Sequence, residues 1–329
     1  MIKKKKLSKQ FSELNLAQIR EYFYQKGYRS DKPLLLSFDG DKTTVDRNRG
    51  AHYMSGTVRA MFKKLSLDKR FIVSMNTGRD ATNYLPLQKQ TGHSEPNIFV
   101  AGRVIRHQGK IYTHPQAVFP KLCKEVLWKQ FTQGIIPFLD IEHGKGNTFF
   151  VQGSRKLQKY YGHHRPVDWF NELDIEVVDT DVVKNARKLF DELDIVRAEI
   201  PVFYKDEPVE VLEAINQEEQ GRVTEIARSK LGVQGKVDLL FVPAPTNKTR
   251  GEKMRKEIGS IRMLIHDKYV NKGVGLKNLA KMVGVPDQNI VYFGDSAADK
   301  SNDAIVKTVL PACTLIITSS GEKKAKKKC

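Results

Sequence analysis

Leu34-Leu35-Leu36-Ser37-Phe38-Asp39-Gly40-Asp41-Lys42-Thr43-Thr44 is an apolar run that ends in two carboxylates one residue apart. Three further segments are built alike, each delivering polar chemistry at the end of a run or the start of a helix. Phe71-Ile72-Val73-Ser74-Met75-Asn76-Thr77-Gly78-Arg79 ends in a hydroxyl, and Asn271-Lys272-Gly273 opens an amphipathic helix. Ile290-Val291-Tyr292-Phe293-Gly294-Asp295-Ser296-Ala297-Ala298-Asp299 carries a second pair of acids. The apolar runs predict strands, and their acids fall where open parallel sheets hold ligands. Brought together, acid, hydroxyl, lysine and acid pair form an inventory for moving a phosphoryl group with a magnesium ion.

Read singly, each segment has a plainer explanation. An Asp-x-Asp after a strand also makes a turn with helix-capping carboxylates, and Thr77 also suits a helix cap. Lys272 alone, in a chain with 56 lysines and arginines, would be one more solvated surface residue. Their conjunction in this order points to a site.

The order and spacing of the four segments resemble the haloacid dehalogenase superfamily of aspartate-nucleophile phosphatases. The likeness is strongest to the branch with a large C2-type (type IIB) cap inserted between the second and third segments. That branch includes Cof-like sugar phosphatases, sucrose-phosphate and trehalose-phosphate phosphatases, and phosphomannomutase. The resemblance covers residues 33–112 and 258–319, while the stretch between matches in general character. It implies an α/β fold, a three-layer Rossmannoid core on a parallel sheet with an inserted α+β cap. The organisation it implies is a basic tail and helix over 1–32, core over 33–111, cap over 112–257, core again over 258–319, and a basic tail over 320–329.

It also implies roles. Asp39 would be the nucleophile, forming an acyl-phosphate that splits hydrolysis into two easier steps. Asp41 would protonate the departing alcohol and then deprotonate the attacking water. Thr77, with backbone N–H groups of Gly78 and Arg79, would bind phosphate oxygens, with Ser74 as the competing hydroxyl. Lys272 would neutralise nucleophile and phosphoryl group, with Lys248 and Lys268 as alternatives. Magnesium, which prefers oxygen ligands, would be held by Asp39, the carbonyl of Asp41, Asp295 and Asp299. Many cap-bearing relatives read Gly-Asp-x-x-Asn-Asp, so Asn302-Asp303 is an alternative to Asp299 if four residues are inserted. Lys42 and Ala101 depart from the family pattern, which has Gly and Asn there. The implied substrate is a small phosphorylated metabolite, a sugar phosphate first, over which the cap would close. A phosphomutase on the same scaffold and a non-catalytic anion- or membrane-binding protein are the rival readings.

Composition bounds the rest. At 329 residues the chain can hold two domains with separate cores. No apolar run approaches the ~20 residues of a spanning helix, and the basic N-terminus lacks a following apolar segment. Cys123, Cys313 and Cys329 have no metal-ligand spacing, which suits a reducing cytoplasm. Of the net charge of +18, residues 1–9 carry +5 and residues 321–329 carry +4. Half the excess thus sits in two tails, read as solubilising ends or as contacts for anionic lipid or nucleic acid. No obligate protein partner is evident.

Patterning predicts helices over 8–27 (capped by Ser8, stopped by Gly27), 55–67, 118–132, 181–193, 208–231 and 273–283. Strands are predicted over 71–76, 97–101, 147–152, 195–204, 236–243, 290–293 and 314–318, with a hairpin turn at Gln108-Gly109. Pro243–Asn247 reads as a break after the strand, and Ser260–His266 as a return to the core. His143 with His163-His164 is a weak metal candidate, and Arg155, Lys156 and Arg165 are a candidate anion patch.

Overall fold

The computed structural model describes residues 15–41, 43–45, 53–93, 95–134, 138–153, 175–203, 237–245, 258–295 and 303–317. The chain divides into two units, residues 1–114 with 270–329, and residues 115–269.

In the first unit, β1 (Leu34–Asp39) is buried along its whole length. A strand paired on both edges and covered on both faces is mostly apolar, and Leu34, Leu35, Leu36 and Phe38 make this one so, with Ser37 and Asp39 as its buried polar residues. It lies parallel to β2 (Phe71–Asn76) and to β12 (Ile290–Gly294), with Asp39 level with Asn76. The sheet continues as β13 (Thr314–Ile317), β12, β1, β2, β3 (Asn97–Phe99), β4 (Val104–His107) and β5 (Lys110–Thr113). On one face Phe38 stacks on Phe293 with ring centroids 4.4 Å apart and meets Phe62 of α2 (Gly56–Ser66) at 4.9 Å. On the other, Leu35, Ile98 and Ile290 pack against Leu276 and Leu279 of α6 (Lys272–Met282) and Val306 of α7 (Ala304–Val309). Each fully buried leucine or phenylalanine contributes about 1.5–3 kcal/mol. This is the three-layer α/β core that the sequence implies.

The ends of the elements follow from local chemistry. Ser55 caps α2, and Asp80 caps α3 (Ala81–Thr91), which Gly92 stops in a left-handed conformation. Helix α1 (Leu16–Tyr24) opens on a reciprocal capping box between Asn15 and Gln18. Its predicted start at Ser8, with Phe11 and Leu14, lies outside the described residues. At the β4–β5 turn Gln108 and Gly109 have φ of 53° and 71°, the positive pair that a two-residue hairpin needs.

The predicted strand over 97–101 stops early, at Phe99. Val100 and Ala101 take φ of 49° and 53° because their N–H groups bond to the carbonyls of Arg79 and Thr77. Tertiary bonds to the turn after β2 override the β-propensity of the run. Gly102 completes this turn at φ 103°, and a Cβ there would stand 2.0 Å from the Asn271 carbonyl oxygen. A Cβ at Gly275 would in turn stand 2.5 Å from Gly102 Cα. Two glycines therefore let the first turn of α6 sit directly on backbone. Gly102→Ala is expected to cost about 2–4 kcal/mol in denaturant unfolding, since it combines overpacking with a disfavoured φ. An unchanged midpoint would mean the two backbones can separate freely.

The second unit holds a six-stranded sheet in the order β10 (Val237–Pro245), β11 (Ile258–Asp267), β9 (Ile195–Phe203), β6 (Phe138–His143), β7 (Gly146–Val151), β8 (Glu176–Asp179). All pairs are antiparallel except β7 with β8. Helices α4 (Lys121–Thr132) and α5 (Ala186–Glu192) bury Leu127, Phe131 and Phe190 against Leu139, Ile141, Phe150 and Ile195. Mixed helices and strands are as expected here, but one assignment is corrected. Ser260–His266, read as a return to the core, lies in β11, which pairs with β10 and β9 inside the second sheet. Its apolar pattern identifies a strand and carries no information about which sheet takes it. Pro243 does not end β10, which runs to Pro245 on the sheet's edge, where a residue lacking N–H is tolerated. Strands β6 and β8 were not predicted. The segment 208–231, His163-His164, Arg155, Lys156 and Arg165 lie outside the described residues.

His143 is accounted for by hydrogen bonds. Thr148 Oγ1 donates to Glu176 Oε2 at 3.0 Å, so its other contact, at 3.0 Å, accepts from His143 Nε2–H. The Lys145 N–H donates to His143 Nδ1 at 3.3 Å. Both ring nitrogens thus serve the β6–β7 hairpin. Among the described residues no helix is long and apolar enough to cross a membrane. Both basic tails lie outside those residues.

Candidate active site

The first unit gathers its chemistry at the C-terminal ends of β1 and β12. Asp39 ends β1 and is 5% exposed. Opposite it stands Lys272, the first residue of α6. Asn271 puts it there, because its side-chain oxygen accepts the N–H groups of Gly273 and Val274 at 3.0 and 3.1 Å. Asn76, at the end of β2, donates from Nδ2 to the Lys272 carbonyl at 3.0 Å, tying the helix start to the sheet. The ammonium then reaches Asp39 Oδ1 at 2.6 Å and Asp303 Oδ1 at 2.9 Å.

Asp303 stands immediately before α7 and is held from several sides. Its Oδ1 also accepts the Tyr292 hydroxyl at 2.8 Å, and its Oδ2 accepts the Asp295 N–H at 2.9 Å. A Cβ at Gly294 would lie 2.5 Å from Asp303 Oδ2. Glycine before Asp295 is what lets this carboxylate rest on the strand end. Oxygen atoms of Asp39, Asp295 and Asp303 all lie within 4.8 Å of one another.

Burial and charge oppose one another in this cluster. Burial, with repulsion from Asp303 and Asp295, outweighs Lys272 and raises the Asp39 carboxyl to about 6. Burial also disfavours the Lys272 ammonium, but Asp39 and Asp303 overcome it and raise its pKa. Asp303 likewise suffers burial, yet Lys272, Tyr292 and the Asp295 N–H hold its carboxyl below the usual range. The Tyr292 phenol is driven well above its ordinary value by burial and by the nearby carboxylates, so it is a hydrogen-bond donor.

On the other side of Asp39 lies the turn that was expected to take phosphate. Thr77 is buried, its N–H bonded to the Ile98 carbonyl and its Oγ1 accepting the Arg79 N–H at 3.1 Å. A Cβ at Gly40 would come 2.8 Å from that Oγ1, so the glycine between the two aspartates lets the hydroxyl stand against their turn. Arg79 Nη2 grips Asp41 Oδ1 at 2.6 Å. A Cβ at Gly78 would meet nothing within 4 Å. Thr44 closes the Asp39-Gly40-Asp41 turn, its buried Oγ1 lying 3.0 and 2.9 Å from the carbonyls of Asp39 and Gly40.

The fold therefore brings Asp39, Lys272 and Asp295 together and sets Asp41, Thr77 and Arg79 beside them in chain order. Asp299 and Lys42 lie outside the described residues. Asp303, the alternative to Asp299 in the sequence, stands in the cluster. Of the rival residues, Ser74 is inside β2 with its hydroxyl on the Met75 carbonyl, Lys268 is exposed over the Tyr269 ring, and Lys248 lies outside the described residues. Tyr292, Thr44, Asn76 and Asn271 were not singled out for these roles. A phenol inside an otherwise apolar strand was a legible signal for Tyr292, since a buried hydroxyl needs a partner.

The donor set suits magnesium. Three carboxylates offer hard oxygen ligands, and a single ammonium beside them leaves the cluster net acidic. Asp39, Asp295 and Asp303 are the residues whose side chains would hold the ion.

A sequence model of the haloacid dehalogenase-like hydrolase family matches residues 246–301. No curated protein matches by sequence. Among solved structures, the chain is similar to the Thermotoga maritima protein TM0651, with 16% identity, a TM-score of 0.55, and 90% of this chain and 97% of that one covered. It is similar to a haloacid dehalogenase-like hydrolase from Bacteroides thetaiotaomicron, with 14% identity, a TM-score of 0.56 and coverage of 90% and 99%. It is also similar to BT1666 from Bacteroides thetaiotaomicron, described among phosphatases of the haloalkanoate superfamily, with 16% identity, a TM-score of 0.52 and coverage of 91% and 95%. At these identities the likeness is one of fold, and that fold is haloacid dehalogenase-like.

Proposed function

We propose that this haloacid dehalogenase-like chain is a magnesium-dependent phosphomonoester hydrolase that works through an aspartyl-phosphate on Asp39. The observation that carries the proposal is the buried Lys272 ammonium bridging Asp39 and Asp303 within a cluster of three carboxylates. A structural salt bridge has no need of a second and third acid around one lysine. A nucleophile that must meet a phosphate dianion does need a cation on each side.

Asp39 attacks phosphorus, and the bond from phosphorus to the ester oxygen breaks as the carboxylate–phosphorus bond forms. The leaving oxygen takes a proton from the Asp41 carboxyl, whose orientation is set by Arg79 through Oδ1. Asp41 then removes a proton from water, which attacks the same phosphorus, and the bond to Asp39 breaks to release inorganic phosphate. Lys272 offsets negative charge on Asp39 and on the transferring group throughout. The Thr77 hydroxyl and the Gly78 N–H bind phosphate oxygens, while the Arg79 N–H donates to Thr77 Oγ1 and holds it in place. Magnesium, when bound, supplies Lewis-acid polarisation of the phosphoryl oxygens and screens one anion from the other.

A small phosphorylated metabolite, a sugar phosphate first, is the proposed substrate, in keeping with the resemblance in the first and last motif segments. Purified full-length protein is expected to hydrolyse an aryl phosphate and members of a sugar-phosphate panel when magnesium is supplied. Chelation should bring turnover to background, and added magnesium should restore it. A folded protein with no magnesium-stimulated release of phosphate from any of these would sink the proposal and favour a non-catalytic anion-binding role.

A further inference from the structure

Asp303 poses a problem of precision. It lies eight residues beyond Asp295, so the chain between the two acids does not by itself place one carboxylate against the other. Its side chain must nevertheless sit within hydrogen-bonding distance of Lys272 and beside Asp39. A one-ångström error in such a group is enough to cost a site much of its affinity or rate.

Tyr292 supplies the missing constraint. It occupies the middle of β12, paired in register with Ser37 on one side and Leu315 on the other. Its ring is fully buried in the core cluster with Leu35, Leu276 and Val306. A ring locked into the central sheet has no freedom to follow its hydrogen-bond partner, so the partner must come to it. The hydroxyl donates to the same Asp303 oxygen that receives Lys272, at 2.8 Å. The Asp295 N–H takes the other oxygen, so the carboxylate is held by one group inside β12 and one just past its end. Phenylalanine would fill the core equally well. Among the described residues the hydroxyl hydrogen-bonds only to Asp303.

We infer that Tyr292 is a positioning residue, which orients Asp303 toward Lys272 and the carboxylate cluster and thereby tunes divalent-cation affinity and phosphoryl transfer. Its hydroxyl donates to Asp303, and it acts through that carboxylate. The kinetic consequence rests on the phosphatase reading, whereas the cation affinity does not.

Tyr292→Phe deletes one oxygen and keeps the ring. Binding of Mn2+ to the full chain, followed by electron paramagnetic resonance, is expected to weaken about 10–100-fold, the usual consequence of removing a partner of a ligating carboxylate. Magnesium-dependent kcat on an aryl phosphate should fall by a similar factor, with little change in KM. In an Asp303→Asn background the same substitution should add less than about twofold, because the group through which it acts is already altered. Mn2+ affinity within twofold of wild type in folded Tyr292→Phe, or an undiminished loss in the Asp303→Asn background, would overturn the inference. A second measurement does not depend on how Tyr292→Phe folds. In the wild-type chain labelled at tyrosine Cζ, the Tyr292 resonance should move on adding magnesium and again in Asp303→Asn, and a resonance unmoved by both would also overturn it. If the wild type hydrolyses no phosphoester but the Mn2+ difference holds, the catalytic reading fails and the positioning role stands.

Discussion

Asp39→Asn is expected to lower turnover of an aryl phosphate by several orders of magnitude while the protein stays folded. The amide is isosteric with the carboxylate, so the packing at the end of β1 is preserved. Its oxygen is a poor nucleophile, and removal of other covalent nucleophiles has costs of this size. The variant should also fail to trap phosphate from substrate on acid quench, where the wild type should show a transient protein-bound phosphoryl group. A folded Asp39→Asn protein with near-normal turnover would refute the nucleophile assignment outright.

Lys272→Met is expected to have the next largest effect, on both rate and stability. Methionine matches lysine in length and volume, so what is removed is the charge. Asp39 and Asp303 then lose the cation that lies 2.6 and 2.9 Å from them. Taking away one partner of a buried ion pair typically costs about 3–5 kcal/mol, because the remaining charge is left uncompensated. The loss should be seen in the denaturant midpoint with chelator present, and magnesium should recover part of it by replacing the missing charge. Turnover should fall about 100- to 1,000-fold, as when a preorganised electrostatic group is deleted from a transition-state site. Activity within threefold of wild type would show that the ammonium neutralises a resting structure and takes no part in the reaction.

Lys272 and Asp303 mark two degrees of legibility. Lys272 was readable because Gly273 and the apolar pattern of Leu276 and Leu279 begin just after it. Local chemistry alone places that lysine at a helix start. Asp303 was readable only as one of two options, because the distance along the chain from Asp295 says nothing about where the carboxylate turns back. Only the contact with Lys272, Tyr292 and the Asp295 N–H shows Asp303 in the cluster.

What the sequence determined by itself is everything governed by neighbours in the chain. Continuous apolar runs defined β1, β2 and β12, and apolar periodicity defined α2 and α6, whereas α3 (Ala81–Thr91) was not predicted. The placement of Asp39 at a strand end, and of Asp41 and Thr77 just past strand ends, followed from the same local rules. The tertiary structure decided what depends on groups far apart in sequence. It assigned β11 to the second sheet, since an apolar strand can satisfy its backbone bonds in either. It turned Val100 and Ala101 out of the strand, since bonds to Thr77 and Arg79 outweigh a propensity worth at most about 1 kcal/mol. And it gave the Tyr292 phenol its partner, since a hydroxyl buried in a sheet finds its acceptor in space, and no spacing along the chain records which one.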